Sequence, residues 1–175
     1  MGRRGARMEL YREKKTCCGC GACADICPVG AIHMVMDEEG FRYPKVNEKK
    51  CTKCGKCAST CPMKGRKAEE TEKSYFGIRA KERGLRLASS SGGMFPLLAD
   101  YVFRRQGVVY GAAYDGNMKV AHGEARDRQE LDVLKRTKYV QSDLTGTYRR
   151  IRRRLEEGRW VLFCGTPCQA QALRL

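Results

Sequence analysis

Eight of the eleven cysteines occur in two copies of one spaced phrase, Cys-x-x-Cys-x-x-Cys-x-x-x-Cys-Pro. The first copy consists of Cys17, Cys20, Cys23, Cys27 and Pro28. The second copy consists of Cys51, Cys54, Cys57, Cys61 and Pro62. Four thiolates on such short connections can close around one cubane iron–sulfur cluster. Two copies of the phrase therefore predict two [4Fe–4S] clusters.

The fourth cysteine of each phrase lies beyond the tight loop that the first three form. In the two-cluster arrangement of bacterial ferredoxins, this fourth cysteine ligates the other cluster. We therefore predict that the ligands of cluster one are Cys17, Cys20, Cys23 and Cys61. The predicted ligands of cluster two are Cys51, Cys54, Cys57 and Cys27. The glycines between the cysteines let the backbone approach the cluster without a clash from a Cβ atom.

Zinc sites and disulfides are the alternative uses of closely spaced cysteines. Zinc takes four ligands, usually as two separated Cys-x-x-Cys pairs, whereas here a third cysteine and a Cys-Pro follow at the same step. Disulfides between such near neighbours would be strained, and the sequence shows no secretory signal. We therefore prefer the iron–sulfur interpretation and expect a cytoplasmic protein.

The net charge of +15 is strongly basic, and it stays positive after the negative charge of two clusters is added. A basic electron carrier is steered toward acidic partners, so we predict a redox partner of the ferredoxin or flavodoxin type. The arginine run at 149–154 precedes two glutamates and is typical of a solvated helix face, so we do not predict nucleic-acid binding. Apolar runs such as 108–114 are only as long as strands, and no membrane span is predicted.

The predicted organisation has four parts: an extension at 1–15, a ferredoxin-like domain at 16–67, a linker at 68–80 and a second domain at 81–175. Within the first domain, apolar runs at 31–36 and 41–46 around an acidic turn predict a β-hairpin. In the second, strands alternate with helices. The expected fold class is α+β, with a two-cluster ferredoxin-like domain followed by part of an α/β flavoprotein-type domain that continues beyond Leu175.

Elements of the second domain follow from its periodicity and its turn residues. We predict a helix at 94–105, capped by Ser90 or Ser91 and ended by Gly107. Strands are predicted at 108–114, 118–122 and 159–164. Further helices are predicted at 127–137, at 144–157 and after Pro167.

Four phrases of the second half occur together and in order: SSGGMF at 90–95, VVYGA at 108–112, KYVQSD at 138–143 and VLFCGTPCQ at 161–169. With them, the chain resembles the coenzyme F-420 hydrogenase/dehydrogenase beta-subunit family, in which a two-cluster ferredoxin module often precedes a flavoprotein domain. The resemblance implies an FAD-bearing oxidoreductase that exchanges electrons between iron–sulfur clusters and a deazaflavin or another soluble acceptor.

Candidate flavin contacts fall in two loops and at one cysteine. A helix N-terminus favours anions, so a pyrophosphate could lie at the first loop, although a capped helix after a loop explains it as well. The second loop supplies hydrogen-bond donors or is an ordinary loop. The candidates are Ser91, Gly92, Gly93, Lys138, Gln141, Ser142 and Cys168.

The cysteines outside the two phrases have several interpretations. Cys164 and Cys168 are cluster ligands, a redox-active pair or buried structural thiols, and the family resemblance favours a site role for Cys168. Cys18 lies off the repeat and is interpreted as a spare thiol beside cluster one. His33 and His122 have no ligand-spaced partner, so we expect both to be structural or exposed.

We therefore predict an iron–sulfur flavoprotein oxidoreductase that passes electrons through two clusters to or from FAD and a soluble acceptor. The alternative is an electron carrier of the ferredoxin type without catalysis of its own. A third hypothesis is a basic nucleic-acid binder that uses its clusters structurally.

Overall fold

The computed structural model describes residues 10–64 and 74–174, which form a mixed α/β structure in two units. The first unit contains the described residues up to 64 together with the helix at Pro167–Leu173, and the second covers 74–166. The expected extension at 1–15 and linker at 68–80 lie partly outside the described residues. The carboxyl-terminal helix, which the sequence grouped with the second domain, belongs to the first unit.

The first unit consists of a two-stranded sheet and short helices. Two single-turn 3-10 helices lie at Lys14–Thr16 and Pro62–Lys64. The remaining elements are α1 (Ala22–Asp25), β1 (Ile32–Met36), β2 (Arg42–Val46), α2 (Lys56–Ser59) and α7 (Pro167–Leu173).

The strands β1 and β2 pair antiparallel, with Ile32 opposite Val46, which confirms the predicted hairpin. Its turn is built around one side chain. The carboxylate of Asp37 accepts hydrogen bonds from the N–H groups of Glu39 and Phe41, at 3.1 and 2.9 Å. An aspartate that bonds the backbone in this way fixes a tight turn, so the hairpin register follows from local sequence.

The second unit combines a three-stranded sheet with helices. Its helices are α3 (Arg83–Leu87), α4 (Met94–Phe103), α5 (Arg128–Leu131) and α6 (Thr147–Glu156), with a 3-10 helix at Asp132–Leu134. Its strands are β3 (Val108–Tyr114), β4 (Val120–Ala125) and β5 (Val161–Phe163). The strand order is β4-β3-β5, with β3 antiparallel to β4 and parallel to β5.

The strand predicted at 108–114 and the helix after Pro167 are confirmed, whereas other boundaries move. The return strand begins at Val120 rather than 118 because Asp115 accepts hydrogen bonds from Asn117 and Lys119 and so lengthens the turn. The helix predicted at 127–137 ends at Leu131 and continues only as a 3-10 turn.

The predicted serine cap of the helix at 94–105 is wrong. The N-cap is Gly93, whose φ of 73° is left-handed, and no side chain caps the first turn. The hydroxyl of Ser90 instead accepts a hydrogen bond from the backbone N–H of Thr137, at 2.9 Å. Glycine also caps the helix predicted at 144–157, which begins at Thr147 after Gly146. Left-handed backbone, which glycine adopts without strain, therefore starts both long helices.

The core of the second unit lies between α4, the strands and the short helix α5. Its buried members are Ala99, Val102, Val109, Ala125, Leu131 and Leu134. Three consecutive β3 residues, Val108, Val109 and Tyr110, are buried, so this strand is covered on both faces. No helix in residues 10–64 and 74–174 has the length and apolarity that crossing a bilayer requires.

A polar network crosses the sheet at Glu124. Its carboxylate accepts hydrogen bonds from the hydroxyl of Tyr110, from Arg126 at 2.9 Å and from Arg154 at 2.8 Å. Burial disfavours the ionised carboxylate, but these hydrogen bonds outweigh burial and lower the pKa of Glu124 to about 2. Burial raises the pKa of Tyr110, and the hydrogen bond from its hydroxyl to Glu124 raises it further.

We predict that Gly107→Ala destabilises the second unit by about 1–3 kcal/mol. A Cβ at this position would lie 2.5 Å from both the carbonyl oxygen of Trp160 and a methyl group of Val102, so the backbone would have to shift. The matched control is Gly116→Ala, where an added Cβ meets nothing within 4 Å. Denaturant unfolding, followed by fluorescence of the single tryptophan, should separate the variants, and equal midpoints would contradict the prediction.

We predict that Glu124→Gln lowers the free energy of unfolding at neutral pH by about 2 kcal/mol, because it removes the charge that three donors share. The folded-state pKa is depressed, so the stabilisation is complete above the ordinary value of 4.5 and is lost as the pH falls toward about 2. The control, Glu157→Gln, removes a more exposed partner of Arg154 and should have little effect. A gap between wild type and Glu124→Gln that stays constant from pH 6 to about pH 2.5 would contradict this linkage.

Candidate metal centres

One recess in the first unit is lined by the four cysteines predicted for cluster one. Cys17, Cys20 and Cys23 reach it from the first loop and α1, and Cys61 reaches it from the end of the second phrase. The recess encloses about 420 Å³, partly open to solvent, and Cys18 and Cys57 also border it. The structure therefore brings together a thiol from the second phrase and three from the first.

A second recess is lined by the four cysteines predicted for cluster two. Cys51, Cys54 and Cys57 belong to the second phrase, and Cys27 is the last cysteine of the first. It encloses about 340 Å³, partly open to solvent. The exchange of the fourth cysteine between the two phrases is therefore a feature of the folded chain, whereas the role of each thiol as a ligand stays a prediction.

The two recesses are built by equivalent backbone turns. Gly21 precedes α1 with φ of 78°, and Gly55 precedes α2 with φ of 76°. Each glycine follows the second cysteine of its phrase, and the third cysteine then lies in the helix. Because only glycine adopts this left-handed conformation readily, the phrases need glycine here to bring the second and third cysteines to one recess.

Backbone N–H groups point at the cysteine sulfurs. The clearest example is the N–H of Ala31, which donates to Sγ of Cys27 at 3.2 Å. Five other cysteines also receive a hydrogen bond from a nearby backbone N–H group. The donor and acceptor pairs are Gly19 and Cys17, Ala22 and Cys20, Ala24 and Cys23, Lys56 and Cys54, and Ala58 and Cys57. Such hydrogen bonds stabilise thiolates and help to set the reduction potential of a bound cluster.

The cysteine pKa values move in both directions. Hydrogen bonding from Cys18, aided by the N–H of Ala22, lowers the pKa of Cys20, and the N–H of Lys56 lowers that of Cys54. Burial raises the pKa of Cys23 to about 12 and also raises those of Cys17 and Cys57. Neighbouring cysteines add to the rise in the pKa of Cys17, Cys23 and Cys57, and a bound cationic group would offset it.

No three cysteine, histidine or carboxylate side chains among residues 10–64 and 74–174 converge closely enough to hold a single metal ion. Each recess is lined by three cysteines of one phrase and the fourth of the other, which is the ligand arrangement of a two-cluster ferredoxin.

The first loop predicted to contact flavin packs against its own chain. A Cβ on Gly92 would lie 2.5 Å from the carbonyl oxygen of Ile78, and the Gly92 carbonyl accepts a hydrogen bond from Ala80 at 2.7 Å. Close approach of these two backbone segments explains why glycine is needed here. Gly93 caps α4, and Ser91 is exposed with a positive φ of 50°.

The second predicted loop meets the first at the Ser90–Thr137 hydrogen bond. The ammonium group of Lys138 donates to the carbonyl of Val133 at 3.0 Å and also to that of Lys135, so it binds its own loop. Gln141 is exposed and Ser142 is buried. The two loops are therefore neighbours, but their glycine and lysine already have partners within the protein.

The cysteines outside the phrases lie in different units. Cys164 follows β5 in the second unit, and Cys168 lies in α7 of the first unit, near Cys17, Cys18 and Cys20. The sequence offered a Cys164–Cys168 redox pair as one of three interpretations and missed the contact of Cys168 with Cys18, for which no local pattern gives a signal.

The two histidines match the structural expectation. His33 is exposed. His122 is buried and stacks on Phe163 with ring centroids 5.1 Å apart. Its Nε2 lies 3.0 Å from the carbonyl oxygen of Cys164, and its Nδ1 has no hydrogen-bond partner. Burial lowers the pKa of His122, so the ring is neutral at physiological pH.

Comparison with known families adds one assignment. Residues 16–64 match the family described as the 4Fe-4S dicluster domain. No curated protein matches the chain. The match covers both cysteine phrases and the hairpin between them, and therefore both recesses. Residues 16–64 are thus an iron–sulfur, ferredoxin-like module, and the chain is an electron-transfer iron–sulfur protein.

Proposed function

We propose that the first unit holds two [4Fe–4S] clusters by crossed ligation and uses them to carry electrons. Cys17, Cys20, Cys23 and Cys61 would hold cluster one, and Cys51, Cys54, Cys57 and Cys27 would hold cluster two. The observation that carries the proposal is the lining of the two recesses by these two sets of cysteines. When bound, a cluster of this kind takes up and releases one electron at a time.

The residues around each recess support this role. Short hydrogen-bonded helices and the hairpin position the thiols, and backbone N–H groups lower the pKa of Cys20 and Cys54. Among the described residues of this unit, the buried apolar side chains are few and mostly small: Cys20, Ala22, Ala24, Ala31, Ile32, Cys57 and Ala172. A unit with so little buried apolar surface fits a fold that a metal group helps to stabilise.

Crossed ligation predicts which single cysteine becomes essential when one cluster is removed. In a Cys17→Ser/Cys20→Ser chain, only cluster two should remain, at about four iron and four sulfide atoms per chain. Adding Cys27→Ser to that background should abolish the remaining cluster, whereas adding the matched change Cys61→Ser should leave it in place. Iron and sulfide analysis with electron paramagnetic resonance of anaerobic preparations would show this. The opposite pattern would mean that each phrase binds its own cluster.

For the whole chain we propose an oxidoreductase of the coenzyme F-420 hydrogenase/dehydrogenase beta-subunit type, in which FAD and a soluble acceptor complete the electron path. Support comes from the four ordered phrases of the second half and from the contact between the two candidate loops through Ser90 and Thr137. The net charge of +15 supports an acidic redox partner of the ferredoxin or flavodoxin type.

A ferredoxin-type electron carrier without flavin is the second candidate, and specific contacts favour it. The N–H of Gly93 donates to the carbonyl of Ser90 at 3.2 Å, and the ammonium group of Lys138 donates to carbonyls of its own loop. A pyrophosphate at this point would have to displace those internal partners or bind beside them. The two candidates share the clusters and differ only in whether the second unit binds flavin.

Cofactor analysis separates the two candidates. An F-420-type oxidoreductase should release about one FAD per chain on denaturation, together with about eight iron and eight sulfide atoms. Gly92→Ala, which places a Cβ against the Ile78 carbonyl, should lower the flavin content and leave iron unchanged, and Gly116→Ala should change neither. Full iron and sulfide without flavin would establish the simple carrier, and a preparation with zinc or no iron would overturn both.

A further inference from the structure

Two thiols that belong to neither predicted ligand set lie together beside the first recess. The helix α7 packs on α1 and on the 3-10 helix at Pro62–Lys64, within the first unit. This packing brings Cys168, in the first turn of α7, against the loop that carries Cys17, Cys18 and Cys20. The thiols of Cys18 and Cys168 are in hydrogen-bond contact, and Cys18 also borders the recess.

The other neighbour of Cys18 is a predicted ligand. The Cys18 thiol also contacts Cys20 through a hydrogen bond. When Cys20 binds metal, its sulfur is committed to the cluster, and Cys168 is then the thiol in contact with Cys18 that can still react. Both sulfurs are present as thiols, since none of the eleven cysteines is in a disulfide.

The pair is specific to the first recess. The two phrases repeat at a fixed step, so the position equivalent to Cys18 follows Cys51 and is occupied by Thr52. A threonine has no redox chemistry, and the second recess is bordered only by the cysteines of its predicted ligand set. The contact between Cys18 of the cysteine loop and Cys168 of α7 therefore lies beside the first recess. At the equivalent position beside the second recess the residue is Thr52.

We propose that Cys18 and Cys168 form a redox-active dithiol–disulfide pair next to cluster one. In reduction, the Sγ–Sγ bond breaks, two electrons and two protons are taken up, and two thiols form. In oxidation, both thiols lose a proton and an electron and the bond forms again. The electrons come one at a time from an iron–sulfur centre, the class of reductant that residues 16–64 are suited to hold.

This pair would give the protein a two-electron site that needs no flavin. Reduction of one disulfide to two thiols takes two electrons in total, whereas an iron–sulfur centre exchanges single electrons. The inference rests on the proposed ligand sets, because Cys18 and Cys168 are available only if neither is a ligand. A partner suited to such a site is a protein or small-molecule disulfide, which exchanges with the reduced pair through a thiolate.

The test uses the full chain with its clusters loaded anaerobically. After mild oxidation with the dye thionin, acid denaturation in N-ethylmaleimide and peptide mapping should recover a Cys18–Cys168 cross-linked peptide, and prior reduction with dithionite should abolish it. Reductive titration with dithionite should show that wild type takes up about two electrons per chain more than Cys18→Ser or Cys168→Ser. The matched control, Cys164→Ser, removes the other non-ligand cysteine and should titrate like wild type.

Each contrary outcome has a distinct meaning. Loaded clusters without the cross-linked peptide, or equal electron uptake by wild type and Cys168→Ser, would overturn the inference alone. Loss of iron or an altered cluster signal in Cys168→Ser would show that Cys168 is a ligand and would also overturn it. Absence of iron and sulfide from wild type would instead overturn the proposed function, and the inference with it.

Discussion

Two equivalent tight turns, one in each cysteine phrase, determine the form of the first unit. The left-handed glycines Gly21 and Gly55 make those turns possible, and backbone N–H groups such as that of Ala31 then donate to cysteine sulfurs. The short helices that follow bring the third cysteine of each phrase to the recess and direct the fourth toward the other phrase. A bound cluster would therefore stabilise the same contacts that shape its site, because little apolar surface is buried here.

The second unit is stabilised in a different way. A continuous apolar strand, β3, packs against α4 and against the turn at Asp132–Leu134, which share one core cluster with it. Charged groups then connect the elements: Glu124 joins Tyr110 to Arg154, and the Asp127 carboxylate caps α5 by accepting the N–H of Glu130. Hydrophobic burial and a few ionic contacts therefore connect the elements of this unit.

Sequence predicted the features that depend on neighbouring residues. The hairpin at 31–46 and the strand at 108–114 follow from alternation and turn residues. The two ligand sets stay a prediction based on the ferredoxin arrangement, although each recess is lined by the cysteines of one set. The serine cap failed because Ser90 bonds to Thr137, a residue far along the chain. The sequence also could not predict that α7 packs within the first unit or that Cys168 contacts Cys18. Both depend on tertiary packing, which the periodicity of neighbouring residues does not indicate.

The membership of α7 in the first unit makes that unit discontinuous along the chain. The polypeptide leaves it after residue 64 and rejoins it only at Pro167. During translation, the cysteine loops therefore emerge from the ribosome well before the helix that packs against them, and the whole second unit is synthesised in the interval. Early cluster insertion would thus take place on an incomplete scaffold, and α7 would enclose the Cys18 side of the site only after residues 167–173 have been synthesised.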